Sequence, residues 1–193
     1  MVGTWDVNVT VGGMPEKLAT AFAEFANSIV GSDYTPIAYL GSQIVNGINH
    51  AVLAEQLLTT GKDTKNVVLI IFNEKEDKFT VVNIERVVEG GEEFGGANVD
   101  VKTDIPAEAF AAFNKVLGSF VGADVNPFAL LATQITRGTD YIFAATVSPV
   151  IDGKTVDNVA VVTVNELNNV ASFCDILKSD LEVSLGKPLG EWP

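Results

Sequence analysis

The chain has 193 residues, 47% hydrophobic and 19% charged, enough apolar side chain for a real core and far from a disordered composition. With 25 acidic and 12 basic residues its formal charge is −13. A field of that sign repels phosphate backbones and anionic lipid, so neither nucleic acid nor a membrane is expected as partner. The single cysteine, Cys174, excludes an intrachain disulfide.

The first stretch, "WDVNVTV" (5–11), alternates apolar and polar residues with the period of a strand. Pro15 then sits where a helix can start, because the first helical turn needs no donor from it. Leu18, Phe22, Phe25 and Ile29 follow at helical spacing as one apolar stripe, and Gly31 offers a left-handed cap to stop the helix. Pro36 opens an extended region. "PIAYLGSQIV" and "NHAVLAEQLL" flank Asn46-Gly47, the strongest hairpin signal in the chain. "TTGKDTKN" and "NEKEDK" separate two further strands, "VVLIIF" and "FTVVNIERVV". The run "VEGGEEFGGAN" (88–98), four glycines and three glutamates among them, reads as a linker.

Past the linker the same order begins again. Residues 15–54 laid over 106–145 without a gap keep fourteen identities: Pro15, Ala21, Phe22, Ser28, Val30, Gly31, Asp33, Pro36, Ala38, Leu40, Gln43, Ile44, Gly47 and Ala54, each matched 91 positions on. After one inserted residue "NVVLIIFNE" (66–74) lies over "NVAVVTVNE" (158–166). The second stripe is Ala109, Phe113, Val116 and Phe120, stopped at Gly122. This is a duplication, with units at 1–90 and 97–185. The expected fold class is α+β: twice over, one long helix packed on a curled antiparallel β-sheet.

The first hairpin carries Gln43, Ile44, Val45, Asn46 and Gly47, with Asn49 and His50 just beyond. This Q-x-V-x-G pattern, in this order of elements, resembles the cystatin superfamily. The resemblance spans about 15–88 and 106–178 through element order, while the motif itself is five residues. In the second copy Gln134 and Gly138 match, Thr136 stands in the valine position, and Asp140-Tyr141 follow. The resemblance implies an inhibitor of papain-like cysteine proteases, built as a wedge. The 43–47 tip would enter the cleft with Val45, Gly47 would permit close approach, and Gly3 is the candidate N-terminal contact, with Gly12-Gly13 competing. A second contact hairpin would fall at "NEKEDKF" (73–79) or "NELNNVA" (165–171), and neither contains a Pro-Trp pair.

The bland alternative is that glutamine, an apolar residue and Asn-Gly are simply what a tight hairpin requires. Both copies keep Gln and Gly, yet Val45 becomes Thr136 and Asn46 becomes Arg137. The expectation is therefore a non-catalytic, cystatin-like interaction module whose partner is another protein, with protease inhibition through Gln43–Gly47 as the alternative.

Other residues give no catalytic or metal constellation. His50 is the only histidine and corresponds to Tyr141, which favours packing over catalysis. Cys174 lies in "VASFCDI" and is expected as a buried, inert thiol. One histidine and one cysteine 124 positions apart lack metal-ligand spacing, and no cofactor is expected. "DGKT" (152–155) lacks the leading glycine of a phosphate loop and reads as a turn, "EKEDK" (74–78) as a solvated tip, and "NVT" (8–10) as a weak glycosylation sequon. No apolar run is long enough to span a membrane. The N-terminus shows no basic-then-apolar leader, which fits a cytoplasmic protein or a secreted one already processed.

Overall fold

The computed structural model describes residues 3–91, 96–151 and 153–177. Linker residues 92–95, Asp152 and the C-terminal segment with Trp192 lie outside the described residues. The chain divides into two units, Met1–Gly91 and Glu92–Pro193.

Unit 1 runs β1 (Trp5–Val11), α1 (Glu16–Ser28), β2 (Ser32–Val45), β3 (Gly47–Leu58), β4 (Thr64–Lys75) and β5 (Lys78–Val88). The strands form one antiparallel sheet in the order β1-β2-β3-β4-β5. Two register irregularities interrupt β2, between Pro36 and Ala38 and between Tyr39 and Gly41. Pro36 therefore lies inside the strand at a bulge, one of the few places a sheet accepts a residue without a donor. Leu18 and Phe22 of α1 pack on Tyr39, Val52, Ala54, Val68, Ile70 and Phe72 from one face of the sheet. The Phe22 and Phe25 rings stand 6.1 and 5.9 Å from Phe72, a tilted and an edge-on contact that add to burial. Ala51, Leu53, Val67, Leu69 and Ile71, which alternate with these core residues, are buried as well. That explains why "VVLIIF" runs without alternation.

Unit 2 repeats the order with β6 (Asn98–Lys102), α2 (Ala107–Leu117), β7 (Ala123–Thr136), β8 (Gly138–Ile151), β9 (Lys154–Thr155), β10 (Asn158–Asn165) and β11 (Val170–Asp175). The sheet order is β11-β10-β8-β7-β6, with β9 paired to the end of β8. Ala109, Phe113 and Leu117 pack on Leu130, Phe143, Ala145, Ala160, Val162 and Val164.

The expected fold class needs correction. The described residues are mostly β, 60% strand against 14% helix, and the helices among them are short: 13 residues in α1 and 11 in α2. Neither unit is built on a long helix. Both helices stop before the glycines expected to cap them. Ile29 already has extended dihedrals, φ −88° and ψ 129°, and the next residue, Val30, is also β-branched and costly to hold in a helix. Ile29 therefore leaves the helical stripe. α2 ends at Leu117: Gly118 still has helical dihedrals and donates to the Asn114 carbonyl at 2.8 Å, and the chain then tightens, the Phe120 N–H donating to the Leu117 carbonyl at 3.0 Å. Phe120 consequently lies outside the helix, its ring 5.6 Å from Phe173 of β11. The turn glycines still adopt positive φ, 87° at Gly31 and 112° at Gly122, but they lead into β2 and β7 rather than cap a helix.

Candidate functional site

The end of the unit 1 sheet gathers most of the residues singled out in the sequence. β2 and β3 meet at Asn46, with Val45 paired to Gly47 and Ile44 to Ile48. Gly3 lies beside this hairpin: its N–H donates to the Ile44 carbonyl at 2.8 Å, and its own carbonyl accepts from Gln43 Nε2 at 3.0 Å. The N-terminal candidate and the hairpin are thus brought together by two hydrogen bonds.

Below the tip runs a ladder of amides across adjacent strands. Gln43, Asn49 and Asn73 occupy one cross-strand row. Asn49 Nδ2 donates to Gln43 Oε1 at 3.2 Å, and Asn73 Nδ2 donates to Asn49 Oδ1 at 2.8 Å and to the Asn46 carbonyl at 3.5 Å. Gln43 is only 3% exposed, so in unit 1 this glutamine is a buried strut, whereas Gln134 of unit 2 is half-buried. Gly47 has φ 103°, and a methyl group there would stand 2.5 Å from the Glu74 carbonyl oxygen. Its positive φ and its close approach to β4 both require glycine.

The opposite face of the tip carries a different row. Ile44 pairs with Ile48, and Ile48 with Glu74. Ile44 is 71% exposed and Ile48 39%, so two isoleucines stand side by side as a short apolar ridge. Val45, the residue expected to enter a partner's cleft, is half-buried and lies on the other face.

Behind the ridge, His50 is buried between Tyr39 and Glu74. The Tyr39 hydroxyl lies 3.2 Å from His50 Nδ1, and His50 Nε2 lies 2.9 Å from Glu74 Oε2. Since a carboxylate only accepts, Nε2 carries a proton, and in the neutral ring Nδ1 is then the acceptor for the tyrosine hydroxyl. Burial raises the Tyr39 pKa, with a hydrogen bond to Ser42 opposing it. The nearby groove of about 800 Å³ between α1 and β5 is lined by Lys17, Glu24, Phe25, Phe72, Phe79 and Val81 among others, and by none of Tyr39, His50 and Glu74. His50 is a core histidine with both nitrogens satisfied. Among the described residues no group of three His, Cys, Asp or Glu side chains is placed to hold a metal.

The unit 2 end uses the same positions with different chemistry. Gln134, Asp140, Asn165 and Val170 form the cross-strand row. Asn165 Nδ2 donates to Asp140 Oδ1 at 2.6 Å and to the Arg137 carbonyl at 3.3 Å. Its Oδ1 accepts the backbone N–H groups of Leu167 and Asn168 at 3.1 and 2.9 Å. Thr136 Oγ1 donates to the other Asp140 oxygen at 3.1 Å. Gly138 has φ 99°, and a methyl group there would meet Leu167 Cβ at 2.8 Å. Ile135, the partner of Ile44 in the repeat, is 80% exposed.

Three contributors to these ends were missed in the sequence: the clamp residues Asn73 and Asn165, and Ile48 of the ridge. The clamps were findable, because the aligned "NVVLIIFNE" and "NVAVVTVNE" keep that asparagine in register. Cys174 also corrects its expectation. It is exposed, because alternation along β11 turns Phe173 toward the α2 core and Cys174 away from it. Asn8 of the sequon is exposed on β1, and Gly153 with φ 74° closes the turn into β9. Comparison with protein-family models, with curated proteins and with solved structures finds no match.

Proposed function

We propose that the protein is a non-catalytic interaction module that seats the Ile44–Ile48 ridge of unit 1 in an apolar cleft of a protein partner. The observation that supports this reading is the pairing of two exposed isoleucines on a tip whose backbone is fixed from below. A hairpin needs no isoleucine at either position. Burying the pair removes apolar area worth about 1.5–3 kcal/mol per side chain, and the Gln43–Asn49–Asn73 ladder lowers the ordering cost of binding. The test places a photo-reactive amino acid at position 44 or, as control, at Lys62, and identifies the crosslinked protein. That protein should then bind the purified chain, with affinity lost in Ile44→Asp and kept in Val45→Asp. Equal binding by both variants rejects the ridge.

A second reading names the partner as a papain-like cysteine protease. The observation favouring it is that Gly3 is hydrogen-bonded to Ile44 and Gln43, so two of the contacts implied by the cystatin motif are neighbours. Against it stands the β4–β5 turn, whose exposed residues Lys75, Glu76, Asp77 and Lys78 suit an apolar cleft poorly. The expected result is no inhibition of papain at tens of micromolar protein, about −6 kcal/mol on the affinity scale. Nanomolar inhibition abolished by Ile44→Asp would instead establish the protease as partner.

A further inference from the structure

We infer that the unit 2 hairpin end is a second, chemically distinct docking site, which takes a short apolar segment of a protein partner carrying one glutamate or aspartate. The argument begins with Arg137, one of only two arginines in the chain. It stands exposed at the tip where unit 1 has the neutral Asn46. The other, Arg86, is paired with Glu89, whereas Arg137 has no ion pair among the described residues.

The nearest candidate to neutralise it is Asp140, three residues on, and that carboxylate is already occupied. One oxygen accepts from Asn165 and the other from Thr136. The Arg137 carbonyl is held by Asn165, so the backbone bearing the guanidinium is fixed while the planar donor fork remains open to solvent. Such a fork fits a carboxylate in two parallel hydrogen bonds.

Exposed apolar groups lie on the two faces of the same hairpin end. Ile135 is 80% exposed, and Leu167, which packs against Gly138 of the same turn, is 61% exposed. A lone arginine between exposed aliphatic side chains recognises a carboxylate flanked by apolar residues better than a run of acids. The −13 field of the chain repels a long acidic segment, and that repulsion is screened beyond about 8 Å at physiological salt. A single carboxylate seated at contact distance gains the local pairing without the wider penalty.

The experiment uses the full chain, ¹⁵N-labelled, titrated with the amidated and acetylated peptide Gly-Ser-Leu-Glu-Phe-Ser-Gly and with its Glu→Gln counterpart. Amide shifts should move at residues 135–139 and 166–168 with a dissociation constant of about 1 mM or below. The Gln peptide and the Arg137→Gln chain should each weaken binding at least about fivefold, a loss of roughly 1 kcal/mol. Arg86→Gln and Ile44→Asp should leave it unchanged, which separates this site from the unit 1 ridge. Equal binding of the two peptides, shifts confined to unit 1, or no shift at about 5 mM peptide would each overturn the proposal. Because position 137 is an exposed tip, the variant's undisturbed amide spectrum in the absence of peptide verifies its fold.

Discussion

The two hairpin ends have the same scaffold and different surfaces. Unit 1 ties its tip with neutral amides, Gln43 to Asn49 to Asn73. Unit 2 ties its tip with a carboxylate, Asp140, gripped by Asn165 and Thr136. In both, an asparagine at the end of a neighbouring strand reaches the carbonyl at the turn, Asn46 in one unit and Arg137 in the other. In both, a glycine with positive φ closes against the next turn or strand. What varies is the residue the turn displays, with Asn46 beside an isoleucine pair in one and Arg137 beside Ile135 and Leu167 in the other. The repeated Gln-Ile-x-x-Gly is thus a device for holding a tip, and the tip is where the copies diverge.

If the scaffolds are equivalent, their cores should respond alike. Phe22 and Phe113 occupy the same repeat position and are 4% and 3% exposed. Truncating either to alanine should cost about 3–5 kcal/mol in chemical denaturation. A cost near zero in one unit alone would show that its helix does not anchor its sheet. The glycines should separate the units. Gly47→Ala sets a methyl group against a backbone carbonyl of β4 and holds alanine at φ 103°, which should cost about 2–3 kcal/mol. Gly138→Ala meets the side chain of exposed Leu167, which can move, so about 1–2 kcal/mol is expected there. Hydrogen exchange of β3 and β8 amides reads each effect in its own unit, and the reverse order would show that Gly138 is the tighter position.

The clamps reverse that ranking. Asn165 satisfies two backbone N–H groups and a carboxylate, whereas Asn73 serves a neighbouring amide and one long contact to a carbonyl. Bonds to charged acceptors contribute more than neutral ones. Asn165→Ala should therefore cost about 1.5–3 kcal/mol and Asn73→Ala about 1 kcal/mol. Equal costs would mean that the Asp140 bond contributes no more than an amide pair.

Much of this was legible from residues, and the failures have physical causes. Asn46-Gly47 marked its hairpin because positive φ selects glycine at the turn, and the 91-residue frame marked the second copy. Helix length was misjudged because Ile29 and Phe120 continue the apolar spacing past the true ends. Periodicity records which side chains are apolar, not which backbone adopts helical dihedrals. The Q-x-V-x-G motif directs attention to Val45. In an extended hairpin neighbouring residues face opposite sides, so register decided that Ile44 is displayed. Cys174 was misplaced for the same reason, since an apolar run in an edge strand need not be buried on both faces.

The smallest effect tests whether the helices are tied to the tips in the same way. In unit 1 Lys17 of α1 pairs with Asp77 of the β4–β5 turn, which raises the lysine pKa and lowers the aspartate pKa, mainly through their mutual hydrogen bond. In unit 2 Lys115 of α2 reaches the Glu166 carbonyl instead, an acceptor that does not titrate. For Asp77 the folded-state pKa is depressed, so its contribution is present above the unfolded value near 3.9 and is lost as pH falls through the folded one. For Lys17 the folded value is raised, so its contribution is present below about 10.4 and is lost as pH rises through the folded value. The pair therefore stabilises unit 1 only between those limits. Both side chains are solvent-exposed, 69% and 75%, and salt screens them, so the effect should be small and should fade as ionic strength rises. Hydrogen exchange at β5 near neutral pH and low salt should show slightly faster opening in Lys17→Met, with no change in β11. The difference from the parent chain should vanish once pH falls below the depressed Asp77 pKa. A difference that persists there would assign the effect to the packing of the lysine stem on α1 rather than to its charge.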